Sequence, residues 1–270
     1  MFTGMRTHTL AIVGCGKLAQ IVVEALLKGL LPNYQLIGSY SRSVEKAEAI
    51  ANTINTSTLG YSCTACHSSE ELLQLNPDYI VETASPAAFR EIALPALKSG
   101  SSIVTLSIGA LANVDFYKEV QQAALDNNTR VHLASGAIGG FDVLRTVALM
   151  EECSVTFRTE KGPNSLKNTG VYEQALQTEQ REVFSGNAKE AIALFPTRVN
   201  VAVATALASV GPENLQVSIN SFPNFEGDDH RIEIKSEQIH AVIDVYSRTA
   251  QIAGWSVVNT LRNIVSPIVF

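Results

Sequence analysis

The chain has 270 residues, 46% of them hydrophobic and 17% charged, with a formal net charge of -6. That length and hydrophobic share support one large domain or two ordinary ones with full cores, and exclude a chain that is mainly disordered. The acidic balance, without a dense Lys/Arg block, argues against a nucleic-acid partner. Four cysteines (Cys15, Cys63, Cys66, Cys153) do not make a disulfide framework in a chain this long.

In chain order, the first informative stretch is the apolar run 10–13, which stops at Gly14-Cys15-Gly16-Lys17-Leu18-Ala19. Leu18, Ile21, Val22, Ala25 and Leu26 then recur at helical spacing, and Gly29 and Pro32 mark the stop. Strand, Gly-x-Gly-x-x-Ala and helix together form the dinucleotide-binding fingerprint. Its first glycine makes the turn, its second admits the pyrophosphate, and the helix N-terminus faces the phosphates. Gly14, Cys15, Gly16, Lys17 and Leu18 are therefore cofactor-binding candidates.

Residues 36–40 read as the second strand. Where an acidic residue would hold a ribose 2′-hydroxyl, the chain has Ser41 and Arg42, with no carboxylate before Glu45. A hydroxyl and a guanidinium suit a 2′-phosphate, so NADP is preferred over NAD; the alternative is that Arg42 is a solvated loop cation. Helices are expected at 44–52 and 69–75, with a short strand at 61–64 between them. Cys63 and Cys66, followed by His67, have no second ligand pair and read as ordinary thiols, so no metal is expected.

Strands at 78–83, 102–107 and 130–134 alternate with helices, one of them opened by Ser85-Pro86. This grammar predicts an α/β Rossmann domain, a doubly wound parallel sheet whose ligands collect at the carboxyl ends of its strands. Ala84, Ser85, Ser107 and Gly109 lie at such ends, as do Ser135, Gly136 and Ala137. Beyond about residue 150, strands at 154–158, 215–220, 230–235 and 239–246 are separated by short turns and by helices at 188–194 and 199–210. They predict a second, α+β domain with a mostly antiparallel sheet. A helix at 249–263 closes the chain, with Ile252, Trp255 and Val258 on one face. The expected division is 1–136 for the dinucleotide-binding domain, 137–247 for the substrate domain, and 248–270 for a helix returning to the first. The opening residues lack a signal-peptide layout, and the longest apolar stretch, 191–210, is broken by Pro196, Arg198 and Asn200. A soluble, cytoplasmic protein without membrane contact is expected.

Four motifs carry a resemblance: Val81-Glu-Thr-Ala-Ser-Pro86, Leu106-Ser-Ile-Gly-Ala-Leu-Ala112, Ser135-Gly-Ala-Ile-Gly-Gly-Phe-Asp142 and Leu194-Phe-Pro-Thr-Arg-Val-Asn-Val-Ala202. In this order they resemble the L-aspartate dehydrogenase family. The resemblance implies a nicotinamide-dependent amino-acid dehydrogenase interconverting L-aspartate with iminoaspartate, and hence with oxaloacetate and ammonia. It also implies His230 of Asp228-Asp229-His230-Arg231-Ile232 as the acid/base and Ala137 and Asn200 as cofactor contacts. The expected assembly is a homo-oligomer, a dimer, and NAD biosynthesis is a family-level context. The chain departs from the family where an Arg-Lys-Pro-Pro-like segment becomes Thr159-Glu160-Lys161-Gly162-Pro163, and in the loop before His230.

The residues bear on this chemistry directly. Oxidising an amine needs a group that takes a proton near neutrality, and histidine titrates at about 6.5. His8 precedes the first strand, His67 lies in a connection, His132 falls in a buried strand, and His240 is in a strand of unassigned face. His230 follows two aspartates that are expected to hold its imidazole and raise its pKa; by position alone it also fits a solvated hairpin. A carboxylate substrate needs donors. Lys161, Arg145 and Arg198 are the candidate cations, and the turn at Ser135 and Gly136 offers backbone N–H groups. The alternatives are the same scaffold acting on another small amino or keto acid or an imine, and a non-catalytic NADP-binding sensor.

Overall fold

The structure, a computed structural model, describes residues 7–195 and 199–269. The chain forms two compact units: one runs to Ala134 and resumes at Ala253, the other is Ser135–Ile252.

In the first unit six strands form one parallel sheet: β1 (His8–Val13), β2 (Tyr34–Tyr40), β3 (Thr64–Cys66), β4 (Tyr79–Glu82), β5 (Ser102–Thr105) and β6 (Val131–Leu133). The order β3-β2-β1-β4-β5-β6 reverses direction between β1 and β4. Leu10, Ala11 and Ile12 are fully buried because a central parallel strand is covered on both faces and so reads as a continuous apolar run. The helices are α1 (Lys17–Leu27), α2 (Val44–Asn55), α3 (Ser69–Gln74), α4 (Pro86–Lys98) and α5 (Val114–Asp126). Side chains start three of them: Ser68 accepts from the N–H of Glu71, Ser85 from Ala88 and Asn113 from Phe116.

The second unit holds α6 (Phe141–Met150), β7 (Ser154–Lys161), β8 (Arg181–Asn187), α7 (Ala188–Leu194), α8 (Asn200–Leu207), β9 (Gln216–Ser221), β10 (Asp228–Lys235) and β11 (His240–Ser247). The sheet order is β11-β10-β7-β9-β8, with β7 and β9 parallel and the other pairs antiparallel. Alternation is strict: Val155, Phe157 and Thr159 are buried while Thr156 and Arg158 are exposed.

The last helix, α9 (Gln251–Ile264), belongs to the core of the first unit. Val257, Val258 and Leu261 pack with Leu10, Ile12 and Ile21, and the Tyr34 hydroxyl donates to the Leu261 carbonyl at 2.8 Å. Gly254 permits this approach, since a Cβ there would lie 2.5 Å from Ile21 Cδ1.

The structure corrects several expected boundaries. The strand expected at 61–64 pairs at Thr64–Cys66 instead. The strand expected at 102–107 stops at Thr105, because the chain turns into a 3-10 helix at Ile108–Ala112. Strand β8 is not legible in the sequence. Its residues, Arg-Glu-Val-Phe-Ser-Gly-Asn, lack alternation, and its pairing with β9 carries an irregularity between Glu182 and Phe184. Strand β7 runs past 158 to Lys161, which brings Thr159 and Lys161 into register with β10.

Candidate active site

The candidate nucleotide site of the first unit is built from backbone. Gly14 ends β1 with φ +92°, and a Cβ there would lie 2.5 Å from the Cβ of Ala84, just past β4. Only glycine lets these two chains approach at the point where the strand order reverses. Gly16, by contrast, has open space where its Cβ would be. It precedes α1 without a side-chain cap, and the first turn of α1 has no acidic residue, so its N–H groups are available to an anion. This arrangement fits a pyrophosphate. The Gly14 N–H donates to the Tyr40 carbonyl at 2.8 Å, tying the turn to the end of β2, from which Ser41 and Arg42 emerge. Arg42 is exposed and forms no ion pair among the described residues.

Several expected contacts prove to be spent on the fold. The Cys15 thiol points into the core. Burial, with Cys63 nearby, pushes its pKa up to about 12, leaving only its backbone for a nucleotide. Leu18 packs on the same core, whereas Lys17 is exposed. The Ser85 hydroxyl caps α4, and that of Ser107 donates to Glu82 at 3.0 Å. Gly109 is buried in the 3-10 turn.

Glu82, which sequence reasoning misses, organises this end of the sheet. Fully buried, its carboxylate accepts from the Ala84 N–H (2.8 Å), the Ser85 N–H (3.0 Å), Ser107 Oγ and Thr105 Oγ1 (2.5 Å). Burial raises its pKa, and those hydrogen bonds partly oppose the rise. The only signal in the sequence is a lone carboxylate ending the apolar strand Tyr-Ile-Val-Glu.

The second unit carries its own cluster of candidate residues, at one end of the buried face of its sheet. His230 is 5% exposed, opposite Thr159 of β7, with its ring 5.8 Å from that of Phe157. Its Nδ1 is buried and without a partner among the described residues. The expected rise in pKa is overturned. Burial, and then the positive charge of Lys161, push it down to about 4, and Asp228 opposes them only in part. Asp228 is engaged by Lys161 in an ion pair, so it does not hold the imidazole. A cavity of about 270 Å³ beside this pair is lined by Lys161, Asp228, Ile219, Ser165, Leu166 and Phe195.

Glu160, where the resemblance implies a cation, alternates to the opposite face and pairs with Arg158 at 3.1 Å. Ser135, Gly136 and Ala137 form a half-buried turn, with Gly136 at φ +68°, ahead of α6. Asn200 is the first residue of α8, one past the helix cap Val199. Arg145 is exposed on α6, and Arg198 lies outside the described residues. Of the other histidines, His8 begins β1 and His67 is exposed. His132 is half-buried on edge strand β6, which corrects the expectation of a buried one. His240 is exposed and bonded to Glu233 at 2.8 Å.

Among the described residues no helix is long and apolar enough to cross a membrane. A family model described as "Homoserine dehydrogenase, NAD binding domain" matches residues 14–134, and "Aspartate dehydrogenase, C-terminal" matches 142–264. The first unit is thus a nicotinamide-dinucleotide-binding domain. L-aspartate dehydrogenase of Methanosarcina barkeri is 32% identical over 96% of this chain and 97% of its own. That of Methanococcus maripaludis (strain C6) is 29% identical over the same shares. The crystal structure of aspartate dehydrogenase from Thermotoga maritima superposes with a TM-score of 0.73 at 27% identity, covering 98% of this chain and 100% of that one. With both halves matched in order and a relative at this identity aligned nearly end to end, the chain belongs to the L-aspartate dehydrogenase family.

Proposed function

We propose that the chain is an NAD(P)-dependent L-aspartate dehydrogenase, preferring NADP, with His230 as its acid/base. The observation that carries this reading is His230 itself: a buried imidazole, neutral at pH 7, at the polar end of a sheet face beside a cavity bearing Lys161. The bound nicotinamide supplies the hydride acceptor, or in reverse the donor, at its C4. His230 takes the proton that leaves the substrate nitrogen as iminoaspartate forms and returns it to the imine nitrogen. The neutral ring then takes a proton from the attacking water and hands it to the departing nitrogen, the last hydroxyl proton passing to solvent as oxaloacetate and ammonia separate. Lys161 supplies positive charge to a substrate carboxylate. Ser41 and Arg42 meet the 2′-phosphate of NADP, and Ala137 and Asn200 contact the cofactor. Ser135 and Gly136 offer backbone donors to the substrate.

Aspartate is favoured over another amino acid because the family departure at Glu160 falls on the face opposite His230 and Lys161. The test is NADPH oxidation by a panel of keto acids with ammonia. Oxaloacetate should be the best acceptor. Faster turnover with pyruvate or 2-oxoglutarate overturns the aspartate assignment, and tight NADPH binding without turnover on any of them overturns the enzyme reading.

A further inference from the structure

The strand register places two polar rungs at one end of the buried face of the second unit. Thr159 lies between His230 of β10 and Ile219 of β9; two residues on, Lys161 lies between Asp228 and Ser221. Thr159 is 3% exposed and Ser221 fully buried, yet Thr159 Oγ1, Ser221 Oγ and His230 Nδ1 have no hydrogen-bond partner among the described residues. A buried hydroxyl without a partner is destabilising, a cost that valine at 159 and alanine at 221 would avoid. These three atoms lie on the same rungs as Lys161, Asp228 and Ile219, which line the cavity, so the polar end of the face offers a polar ligand donors that the fold does not use.

We propose that the Thr159 and Ser221 hydroxyls are the specificity-determining donors for a carboxylate of the substrate, with Lys161 as the cation beside them. The assignment rests on the dehydrogenase reading for the identity of the ligand, and on the strand register for its place. Thr159 and Ser221 are diagonal neighbours, roughly 8 Å apart between Cα atoms from ordinary strand spacing and rise. One carboxylate accepting two hydrogen bonds of about 2.7 Å spans that gap. Hydroxyls are suited to this role, because each donates to an oxygen and neither brings a charge that would compete with Lys161 for Asp228.

The test uses Thr159→Val and Ser221→Ala in the full chain, with Thr159→Ser as the conservative control. Four quantities are read: Tm, NADPH affinity, KM for oxaloacetate in the reductive assay, and the rise in Tm given by succinate, an unreactive dicarboxylate. In each of the two variants KM should rise roughly tenfold to a hundredfold. The succinate shift should vanish, NADPH affinity should be unchanged, and Tm should stay level or rise; Thr159→Ser should restore KM and the shift. A fall in Tm with KM and the succinate response unchanged marks the hydroxyls as structural and overturns the proposal. If wild type fails to turn over oxaloacetate but succinate protects it and not the variants, the site stands and the aspartate reading falls. If wild type turns over oxaloacetate and the variants match it, the reverse holds. If neither turnover nor protection is seen, both fall.

Discussion

At the carboxyl ends of β4 and β5 one carboxylate, Glu82, takes up two hydroxyls and two amide N–H groups. At the polar end of the β10–β7–β9 face, Thr159 Oγ1, Ser221 Oγ and His230 Nδ1 have no partner among the described residues. The first unit has buried atoms without a hydrogen-bond partner among the described residues too, Tyr61 Oη and His8 Nδ1 (the latter 3.8 Å from Asp78 Oδ2), but they lie ahead of β3 and at the start of β1, away from the glycine turn. Under the proposed function the contrast follows from what each region recognises. A pyrophosphate is met by backbone N–H groups, so the side chains around the turn serve to hold loops still. A small amino acid has to be met by side chains, and their polar atoms are kept free at some cost in stability.

The sharpest way to break this comparison is at its chemical end. His230→Ala should lower kcat roughly 10²- to 10⁴-fold with NADPH affinity intact, read by steady-state kinetics beside a fluorescence titration. Equal losses in binding and turnover would show that the imidazole serves the fold.

Next comes the carboxylate on the satisfied side. Glu82→Ala leaves four donors without their acceptor and should cost about 3 kcal/mol or more in urea unfolding. Glu82→Gln preserves the acceptor facing Ala84, Ser85 and Ser107, alters only the contact with Thr105, and should cost about 1 kcal/mol. Identical losses in the two variants would refute the hub.

A smaller effect is expected at Arg42. Its replacement by alanine should weaken NADPH roughly tenfold to a hundredfold and leave NADH nearly unchanged, by titration of both. The least change concerns pH. Because His230 is held at about 4 against an ordinary 6.5, the folded chain binds fewer protons than the unfolded chain between those values. Its contribution is therefore full above about pH 6.5 and declines as the pH falls toward 4. Unfolding curves across that window should flatten in His230→Asn; an unchanged slope would place the acid sensitivity elsewhere.

Much of the first unit is legible in the sequence because its signals are local. The turn at Gly14, the Ser85-Pro86 helix start and the apolar run of β1 each depend on a few consecutive residues. Glu82 escapes such a reading because its partners lie two to twenty-five positions away, and only the parallel pairing of β4 with β5 brings Thr105 and Ser107 to it. His230 stands out through a motif, but its neighbours mislead about its protonation. Two adjacent aspartates suggest a raised pKa, whereas the buried face on which the ring sits, and the capture of Asp228 by Lys161 from another strand, push it down.

Residues close together in the chain thus suffice for the two-part grammar and the dinucleotide turn, while the resemblance to a known family singles out one acid/base candidate. It took packing to put Thr159, Lys161 and Ser221 on one face with His230, to turn Glu160 away from it, and to dock α9 on the first unit's core. The cause is register. A strand turns every side chain over when it slides by one residue, and pairing between strands far apart in the chain is set by the packed faces of the whole sheet rather than by either strand alone.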